Sequence, residues 1–179
     1  MTETAFAYDL GLFQWKRYRR PLMHEIPTHW RSWIFDTGSL TARLIRKSQG
    51  NFRVDLLGQH WDKPSPSERR ALAMRDHHLA LTREVYLYGR DVPWVFAHSV
   101  IPATTLTGKE RQLAHLGTRP LGAYLFKCQS MRRTGLEVGK LVISPSQTLW
   151  ARRSVFWLSE KPLLVCEYFL PELVSPNIL

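Results

Sequence analysis

Two charged residues interrupt the apolar faces of segments that alternate like β-strands. In residues 79–87, Arg83 shares one face with four aliphatic residues, and in residues 163–170, Glu167 shares one face with three apolar residues. A guanidinium can hold a carboxylate through two parallel hydrogen bonds, and a carboxyl group can donate or accept a proton. Burying an unpaired charge is costly, so Arg83 and Glu167 must reach solvent, pair with each other or meet a ligand. The alternation alone leaves these three alternatives open.

Motifs for other kinds of catalysis are missing from the sequence. Gly117 and Gly122 do not form a nucleotide-binding GxGxxG motif or a P-loop, and the adjacent His77 and His78 lack the spacing of metal ligands on a helix. The two cysteines do not form a CxxC pair, and no serine lies in a nucleophile-elbow sequence. These absences disfavour a metal enzyme and a nucleotide-dependent enzyme, and they leave covalent catalysis weakly supported.

The segments that carry Arg83 and Glu167 belong to a predicted antiparallel sheet. A tight turn at residues 89–91 joins the first segment to a second strand at 94–101, which makes a hairpin. Further strands are predicted at residues 52–56, 129–142 and 152–158. Strands outnumber helices and follow one another in hairpin order. This arrangement predicts an α+β fold with a mainly antiparallel sheet in a single domain.

Helix signals occupy the segments between these strands. Ser39 is placed to cap a helix through Lys47, and Ser67 is placed to cap a helical turn through Met74. Residues 107–110 have the spacing of a capping box, which predicts a helix through residue 116. Pro120 suits the first turn of a short helix at residues 121–126.

The composition is typical of one soluble domain. The chain has 179 residues, of which 44% are hydrophobic and 22% are charged, enough for one core without disulfides or metals. No apolar run approaches the ~20 residues of a membrane-spanning helix, and residues 1–9 lack the basic flank of a signal peptide, so we expect a cytoplasmic protein. We expect residues 1–30 to form an arm packed on a domain of residues 31–179.

The net charge of +10 at pH 7 is the extreme feature of the composition. It suits an anionic partner, which can be a nucleic acid, an acidic membrane surface or a small anion. The basic residues are scattered, and no helix-turn-helix, zinc-finger or RNA-recognition sequence is present, so we expect no specific nucleic-acid binding. Peripheral contact with an acidic membrane stays open.

Five short motifs stand in order along the chain. They are Arg83-Glu-Val, Val100-Ile-Pro102, Gly117-Thr-Arg-Pro-Leu-Gly-Ala-Tyr-Leu-Phe126, Ala151-Arg-Arg-Ser154 and Lys161-Pro-Leu-Leu-Val-Cys-Glu-Tyr-Phe-Leu-Pro171. Together they resemble the chorismate pyruvate-lyase family of ubiquinone biosynthesis, over a stretch from Trp33 to Pro171. The PLGxYLF and KPLL motifs carry most of the resemblance, because they are specific in combination.

The resemblance implies an antiparallel sheet with helices packed on one side, and a lyase that removes pyruvate from chorismate to leave 4-hydroxybenzoate. It implies no metal and no organic cofactor. The reaction breaks the ether bond at ring carbon C3 and removes the hydrogen at C4. Because formation of the aromatic ring drives this change, the enzyme mainly orients the substrate and moves protons.

The same resemblance implies the residues of the site. Leu40, Arg83, Leu121 and Glu167 are the expected substrate- and product-binding residues, and Arg83 and Glu167 are the expected catalytic residues. Arg83 is expected to hold a substrate carboxylate, and Glu167 to bind the ring hydroxyl or act as general acid or base. The family carries methionine at the position of Leu40, so we expect a main-chain contact there.

An alternative function is a domain that senses a small anion without turning it over, because effector domains of some bacterial transcription regulators resemble the same fold. The sequence before Trp33 contains no recognisable DNA-binding segment, and both Arg83 and Glu167 are present. These features favour the enzyme. We expect chorismate and 4-hydroxybenzoate as its small-molecule partners and a monomer as its active form.

Overall fold

An antiparallel sheet organises the chain in this computed structural model, which describes residues 8–17 and 24–175. Within these residues the sheet has seven strands: β1 (Gln14–Arg17), β2 (Phe52–Asp62), β3 (Ala80–Gly89), β4 (Val92–Pro102), β5 (Met131–Ser144), β6 (Gln147–Leu158) and β7 (Lys161–Phe169). The strands lie in the order β1-β5-β6-β7-β4-β3-β2, and all neighbours are antiparallel. The predicted α+β class with a mainly antiparallel sheet is confirmed.

Short helices connect the strands. The α-helices are α1 (Thr28–Ile34), α2 (Leu40–Ser48), α3 (Pro66–Leu72) and α4 (Leu121–Leu125), and 3₁₀ helices cover Leu10–Leu12, Gly108–His115 and Pro171–Leu173. Ser39 caps α2 as predicted, since its side chain accepts a hydrogen bond from the backbone N–H of Ala42. Pro120 directly precedes α4, close to the predicted start. None of the described helices is long and apolar enough to cross a membrane.

Two predicted helix starts are wrong. The cap of α3 is Ser65 and not Ser67, because Ser65 and Glu68 form a reciprocal capping box and Pro66 at the first helical position needs no hydrogen-bond acceptor. The predicted capping box at residues 107–110 does not form, and a 3₁₀ helix follows instead. Its Glu110 carboxylate is buried and accepts a hydrogen bond from Lys161 Nζ at 2.8 Å, so it is not available to cap the helix.

The two faces of the sheet carry separate cores. On the face that also carries Arg83, which we call the site face, α1, α2 and α4 pack over two apolar clusters. On the opposite face, Leu72 of α3 and Phe13 pack against a third cluster. The expected packing of helices on one side thus describes α1, α2 and α4, whereas α3 lies on the other side.

The segment before α2 contributes to both the sheet and the core. β1 adds an edge strand by pairing with β5, with Gln14 opposite Lys140. Ile26 and Trp30 are buried in a cluster on the site face. The remaining parts of the predicted arm, residues 1–7 and 18–23, lie outside the described residues.

A buried histidine ties α3 to the opposite face of the sheet. His98 on β4 lies between two carboxylates, with its Nε2 3.0 Å from Glu68 of α3 and its Nδ1 3.2 Å from Glu84 of β3. Burial lowers the pKa of His98, but the hydrogen bonds to both carboxylates outweigh burial and raise the pKa to about 9. The protonated imidazole therefore persists at neutral pH and cross-links three elements.

This histidine predicts a loss of stability at alkaline pH. Because the pKa of His98 is raised from 6.5 to about 9 in the folded state, its contribution is complete below pH 6.5 and disappears as the pH rises through 9. We expect the free energy of unfolding in urea to fall by up to about 3 kcal/mol between pH 6.5 and 9.5. The pKa values of Glu68 and Glu84 are lowered, so their contributions are lost only on acidification.

His98→Gln should be less stable than the parent at pH 6.5 and should show a flatter dependence on pH between 6.5 and 9.5. His77→Gln is the matched control, because His77 is exposed and should leave the parent's profile unchanged. If the free energy of unfolding of His98→Gln falls as steeply with pH as that of the parent, the loss of stability at alkaline pH belongs to another group.

Candidate functional site

A cavity opens on the site face of the sheet, beneath the N-terminal ends of α2 and α4. It contains about 560 Å³ of empty space, including the part open to solvent. Apolar residues of β3, β4, β6 and β7 form most of its floor: Val85, Leu87, Ala97, Phe156 and Val165. The charged residues of the lining are Arg83, Arg133, Arg152 and Glu167. A small molecule that is partly apolar and carries negative charge matches such a lining.

Two short helices cover this cavity. Leu40 and Thr41 come from the first turn of α2, and Leu121 and Gly122 come from the first turn of α4. A Cβ atom at Gly122 would lie 2.6 Å from Thr41 Oγ1, so glycine is what allows the two helices to approach this closely. The structure thus brings all four residues of the predicted site, Leu40, Arg83, Leu121 and Glu167, to one cavity.

Arg83 is a buried cation with only neutral partners. Its residue is 1% exposed, and its Nη2 donates hydrogen bonds to the carbonyl oxygens of Gly117 at 2.9 Å and Arg119 at 3.1 Å. Its Nε has no hydrogen-bond partner, and burial lowers its pKa to about 10. Since a pKa of about 10 still leaves the guanidinium charged at neutral pH, Arg83 presents an unsatisfied cation to the cavity.

Glu167 pairs with Arg152 and not with Arg83. Arg152 Nε donates a hydrogen bond to Glu167 Oε2 at 2.5 Å, and these residues are opposite each other on the neighbouring strands β6 and β7. Arg83 lies on β3, which is separated from β7 by β4. The backbones of β3 and β7 are two strand spacings apart, about 10 Å, and Arg83 directs its Nη2 to carbonyl oxygens, so Arg83 and Glu167 line the same cavity without pairing with each other.

Arg152 is a member of the site that the sequence analysis did not identify. It is 1% exposed, and its Nη1 donates hydrogen bonds to the carbonyl oxygens of Trp33 at 2.9 Å and Asp36 at 2.6 Å. It therefore joins Glu167 to the segment between α1 and α2. The alternation of β6 contains the signal for this role, because Arg152 shares a face with Phe156.

Arg133 is a second member of the site that the sequence did not predict. It lies on β5, where its Nε donates a hydrogen bond to Ser154 Oγ at 3.1 Å and its Nη1 donates to the carbonyl oxygen of Asp36 at 3.3 Å. Burial lowers the pKa of Arg133, and the nearby charge of Arg152 lowers it further. No alternation pattern marks Arg133, because β5 is irregular between Thr134 and Glu137.

A metal site does not accompany these residues. Within residues 8–17 and 24–175, no three His, Cys, Asp or Glu side chains are grouped so that they could hold a metal ion. The predicted pair His77 and His78 consists of adjacent residues whose rings contact each other edge to face, with centroids 4.7 Å apart. The chemistry that the cavity supports is therefore the binding of an anion by guanidinium groups beside a single carboxylate.

The chain is similar to a group of bacterial proteins along most of its length. A sequence model of the family described as chorismate lyase matches residues 14–178, and so begins before Trp33. A relative from Methylococcus capsulatus is 40% identical over 155 residues, covering 80% of this chain and 96% of the relative. A relative from Marinobacter nauticus is 43% identical over 149 residues, covering 82% and 79%. Both relatives are named probable chorismate pyruvate-lyase.

Solved structures with a similar fold include the ligand-binding domain of a transcription regulator. The ligand-binding domain of a GntR-family regulator from Bordetella bronchiseptica has a TM-score of 0.53 and 17% identity, covering 73% of this chain and 91% of that domain. PhnF from Mycobacterium smegmatis has a TM-score of 0.56 and 13% identity, covering 79% and 67%. At such low identity these likenesses concern the fold alone.

The buried pair predicts a large effect of removing Arg152. Arg152→Met leaves the Glu167 carboxylate without its partner and removes the hydrogen bonds from Arg152 to the carbonyl oxygens of Trp33 and Asp36, so we expect the free energy of unfolding to fall by about 3–5 kcal/mol. Arg132→Met is the control: its side chain is 62% exposed and pairs with Glu160 at the surface, so it should cost less than about 1 kcal/mol.

The double variant Arg152→Met, Glu167→Leu separates the cost of the unpaired Glu167 carboxylate from the other effects of removing Arg152. It should be more stable in urea than Arg152→Met alone, because it removes the unpaired carboxylate. Equal stability of the single and the double variant would show that the carboxylate is not what Arg152 stabilises.

Proposed function

Because the chain belongs to the chorismate lyase family, we propose that it removes pyruvate from chorismate and leaves 4-hydroxybenzoate, as the first committed step toward ubiquinone. The observation that carries this proposal is the pair of opposed groups in one cavity, an unsatisfied Arg83 guanidinium and the Glu167 carboxylate. Two strand spacings, about 10 Å, separate the backbones that carry these groups, and in this proposal the substrate ring lies between them. Chorismate has a carboxylate on one side of its ring and a hydroxyl group on the other, which matches this arrangement.

Arg83 holds the ring carboxylate in this proposal. Its Nη2 is engaged by two carbonyl oxygens, whereas its Nε has no partner within the protein and is free to donate a charge-assisted hydrogen bond to an incoming carboxylate. Because the surroundings are apolar and buried, the contact is stronger than it would be in water. A fixed carboxylate aligns the ring with Glu167 and so lowers the entropic part of the barrier.

Glu167 acts at the other end of the ring. During the reaction the C3–O bond breaks, the C4 hydrogen leaves as a proton, and the electrons of the C4–H bond complete the aromatic ring. The ether oxygen leaves as the enolate of pyruvate, which takes up a proton at carbon. Glu167 either accepts the C4 proton or accepts a hydrogen bond from the C4 hydroxyl while the substrate rearranges internally.

The helices over the cavity complete the proposed site. Leu40 and Leu121 are the first residues of α2 and α4, and the N–H groups of a first helical turn have no acceptor within their helix. We assign main-chain contacts with the ligand to both residues. Their apolar side chains also exclude water from the ring, as the reaction requires no added water.

A monomer is the proposed active form. A cytoplasmic location fits a substrate and product that are small, soluble anions. The net charge of +10 supports peripheral contact with an acidic membrane. Binding to vesicles of anionic and of neutral lipids at several salt concentrations tests that contact, which should weaken as salt increases.

Incubation with chorismate tests the proposed function directly. We expect purified, metal-stripped protein to release 4-hydroxybenzoate and pyruvate in equal amounts without any added cofactor. Chromatography measures both products. Saturable binding of 4-hydroxybenzoate with no turnover of chorismate would instead support the small-anion-sensing domain.

Arg83→Ala should lower kcat/KM for chorismate by well over tenfold, because it removes a charge-assisted contact of about 2–3 kcal/mol. The exposed Arg132→Ala is the control and should retain the parent's kinetics. Nearly unchanged kinetics in a folded Arg83→Ala protein would remove Arg83 from the site.

Glu167→Gln separates proton transfer from binding. The amide keeps the shape and the hydrogen-bonding capacity of the side chain but cannot ionise. If Glu167 accepts the C4 proton, kcat should collapse. If kcat and the pH profile match those of the parent, Glu167 only binds the substrate.

A further inference from the structure

The cavity holds one more cation than the roles above employ. Its lining carries three guanidinium groups, from Arg83, Arg133 and Arg152, against the single carboxylate of Glu167, which leaves two positive charges without a partner in the lining. A site for a monoanion needs only one of them. We propose that Arg133 binds the second carboxylate of the substrate, the one on the enolpyruvyl group, an inference that rests on the proposed function.

The pairing of charges singles out Arg133. The charge of Arg152 is already matched by Glu167 at 2.5 Å. Arg133 also lies near Asp36, but the Asp36 carboxylate pairs with Arg43 at 3.1 Å and accepts a hydrogen bond from the backbone of Gly38. Arg133 itself donates only to neutral oxygens, Ser154 Oγ and a carbonyl. Among the described residues it therefore joins Arg83 as a cation of the cavity that lacks an ion pair.

The sheet places Arg133 and Arg83 on opposite sides of Glu167. β7, which carries Glu167, is the central strand; β3 with Arg83 lies two strands away in one direction, and β5 with Arg133 lies two strands away in the other. Hydrogen bonds to Ser154 and to the segment before α2 hold the Arg133 guanidinium toward the Arg152–Glu167 pair. The ring of Phe156, 5.3 Å from the guanidinium, supports it from β6.

The geometry of the substrate fits this placement. Chorismate carries its ring carboxylate at C1, its hydroxyl at C4 and its enolpyruvyl ether at C3, next to the hydroxyl. With the C1 carboxylate on Arg83 and the hydroxyl at Glu167, the C3 substituent points to one side of Glu167. Arg133 occupies the side opposite Arg83, where the carboxylate of that substituent requires a cation.

This role gives Arg133 a function in selectivity. The enolpyruvyl carboxylate leaves with pyruvate, so a contact with it stabilises the substrate and the transition state but not 4-hydroxybenzoate. Arg83, by contrast, contacts a carboxylate that substrate and product share. Arg133 thus distinguishes a dianionic substrate from its monoanionic product.

Arg133→Met tests the assignment, because it should impair the use of chorismate much more than the binding of 4-hydroxybenzoate. We expect kcat/KM for chorismate to fall at least tenfold, while the Kd of 4-hydroxybenzoate changes less than about threefold. Arg133→Lys, which keeps the charge, should recover part of the loss. Arg83→Met should weaken the binding of both ligands, and Arg132→Met, at an exposed position, should leave the binding of both unchanged. Equal losses for both ligands in Arg133→Met would show a structural role and overturn the inference.

A pair of stable ligands keeps the test independent of turnover and of how well the variants fold. The dianion 3-(carboxymethoxy)-4-hydroxybenzoate and its neutral-armed counterpart 3-(carbamoylmethoxy)-4-hydroxybenzoate differ only in the charge of the arm. The parent should bind the dianion at least tenfold more tightly, with an advantage that disappears in Arg133→Met. No preference in the parent would overturn the inference. Failure of the parent to cleave chorismate, with the preference intact, would reject only the proposed function.

Discussion

The buried ion pair between Arg152 and Glu167 is the interaction on which the site depends. It joins the two central strands of the sheet, and Arg152 also holds the backbone between α1 and α2 through the carbonyl oxygens of Trp33 and Asp36. Removal of either partner leaves a charge in an apolar setting, so the two residues stabilise the structure only as a pair. The ion pair fixes the direction of the Glu167 carboxylate. The hydrogen bonds to Trp33 and Asp36 hold the segment that leads into α2, one of the two helices that cover the cavity.

The remaining charges of the cavity follow a different rule. Arg83 is buried and Arg133 is half-buried, and both are paired only with neutral oxygens, an arrangement that lowers the stability of the empty protein. A carboxylate ligand relieves that cost, and the gain appears as binding free energy. In the proposed function, the site recognises anions because the fold leaves these two cations incompletely satisfied, while the neighbouring Arg152 is satisfied by the protein itself.

The opposite face of the sheet shows the contrasting solution. There His98 lies between Glu68 and Glu84, and Arg153 pairs with Glu137, so the buried charges are matched within the protein. Alternation along each strand separates the two systems, since neighbouring residues such as Arg152 and Arg153 point to opposite faces. One face thus anchors α3 and the edge of the sheet, and the other remains available for a ligand.

The sequence by itself determined the elements and the two most unusual residues. Strand alternation is a local property, so it predicted β3 and β7 and placed Arg83 and Glu167 on apolar faces before any contact was known. The motifs around Leu121 and Glu167 likewise indicated the family. Local signals failed where a distant side chain intervened: Lys161 binds Glu110 and prevents the predicted capping box.

Only the tertiary structure decided which charges meet. Whether Glu167 pairs with Arg83 or Arg152 depends on the order of strands in the sheet, which places β6 next to β7 and leaves β4 between β7 and β3. The positions of Arg133 in the cavity and of Gly122 against Thr41 depend in the same way on contacts between elements far apart in the chain. Strand order and helix packing arise from the burial of the whole core, which no local pattern encodes.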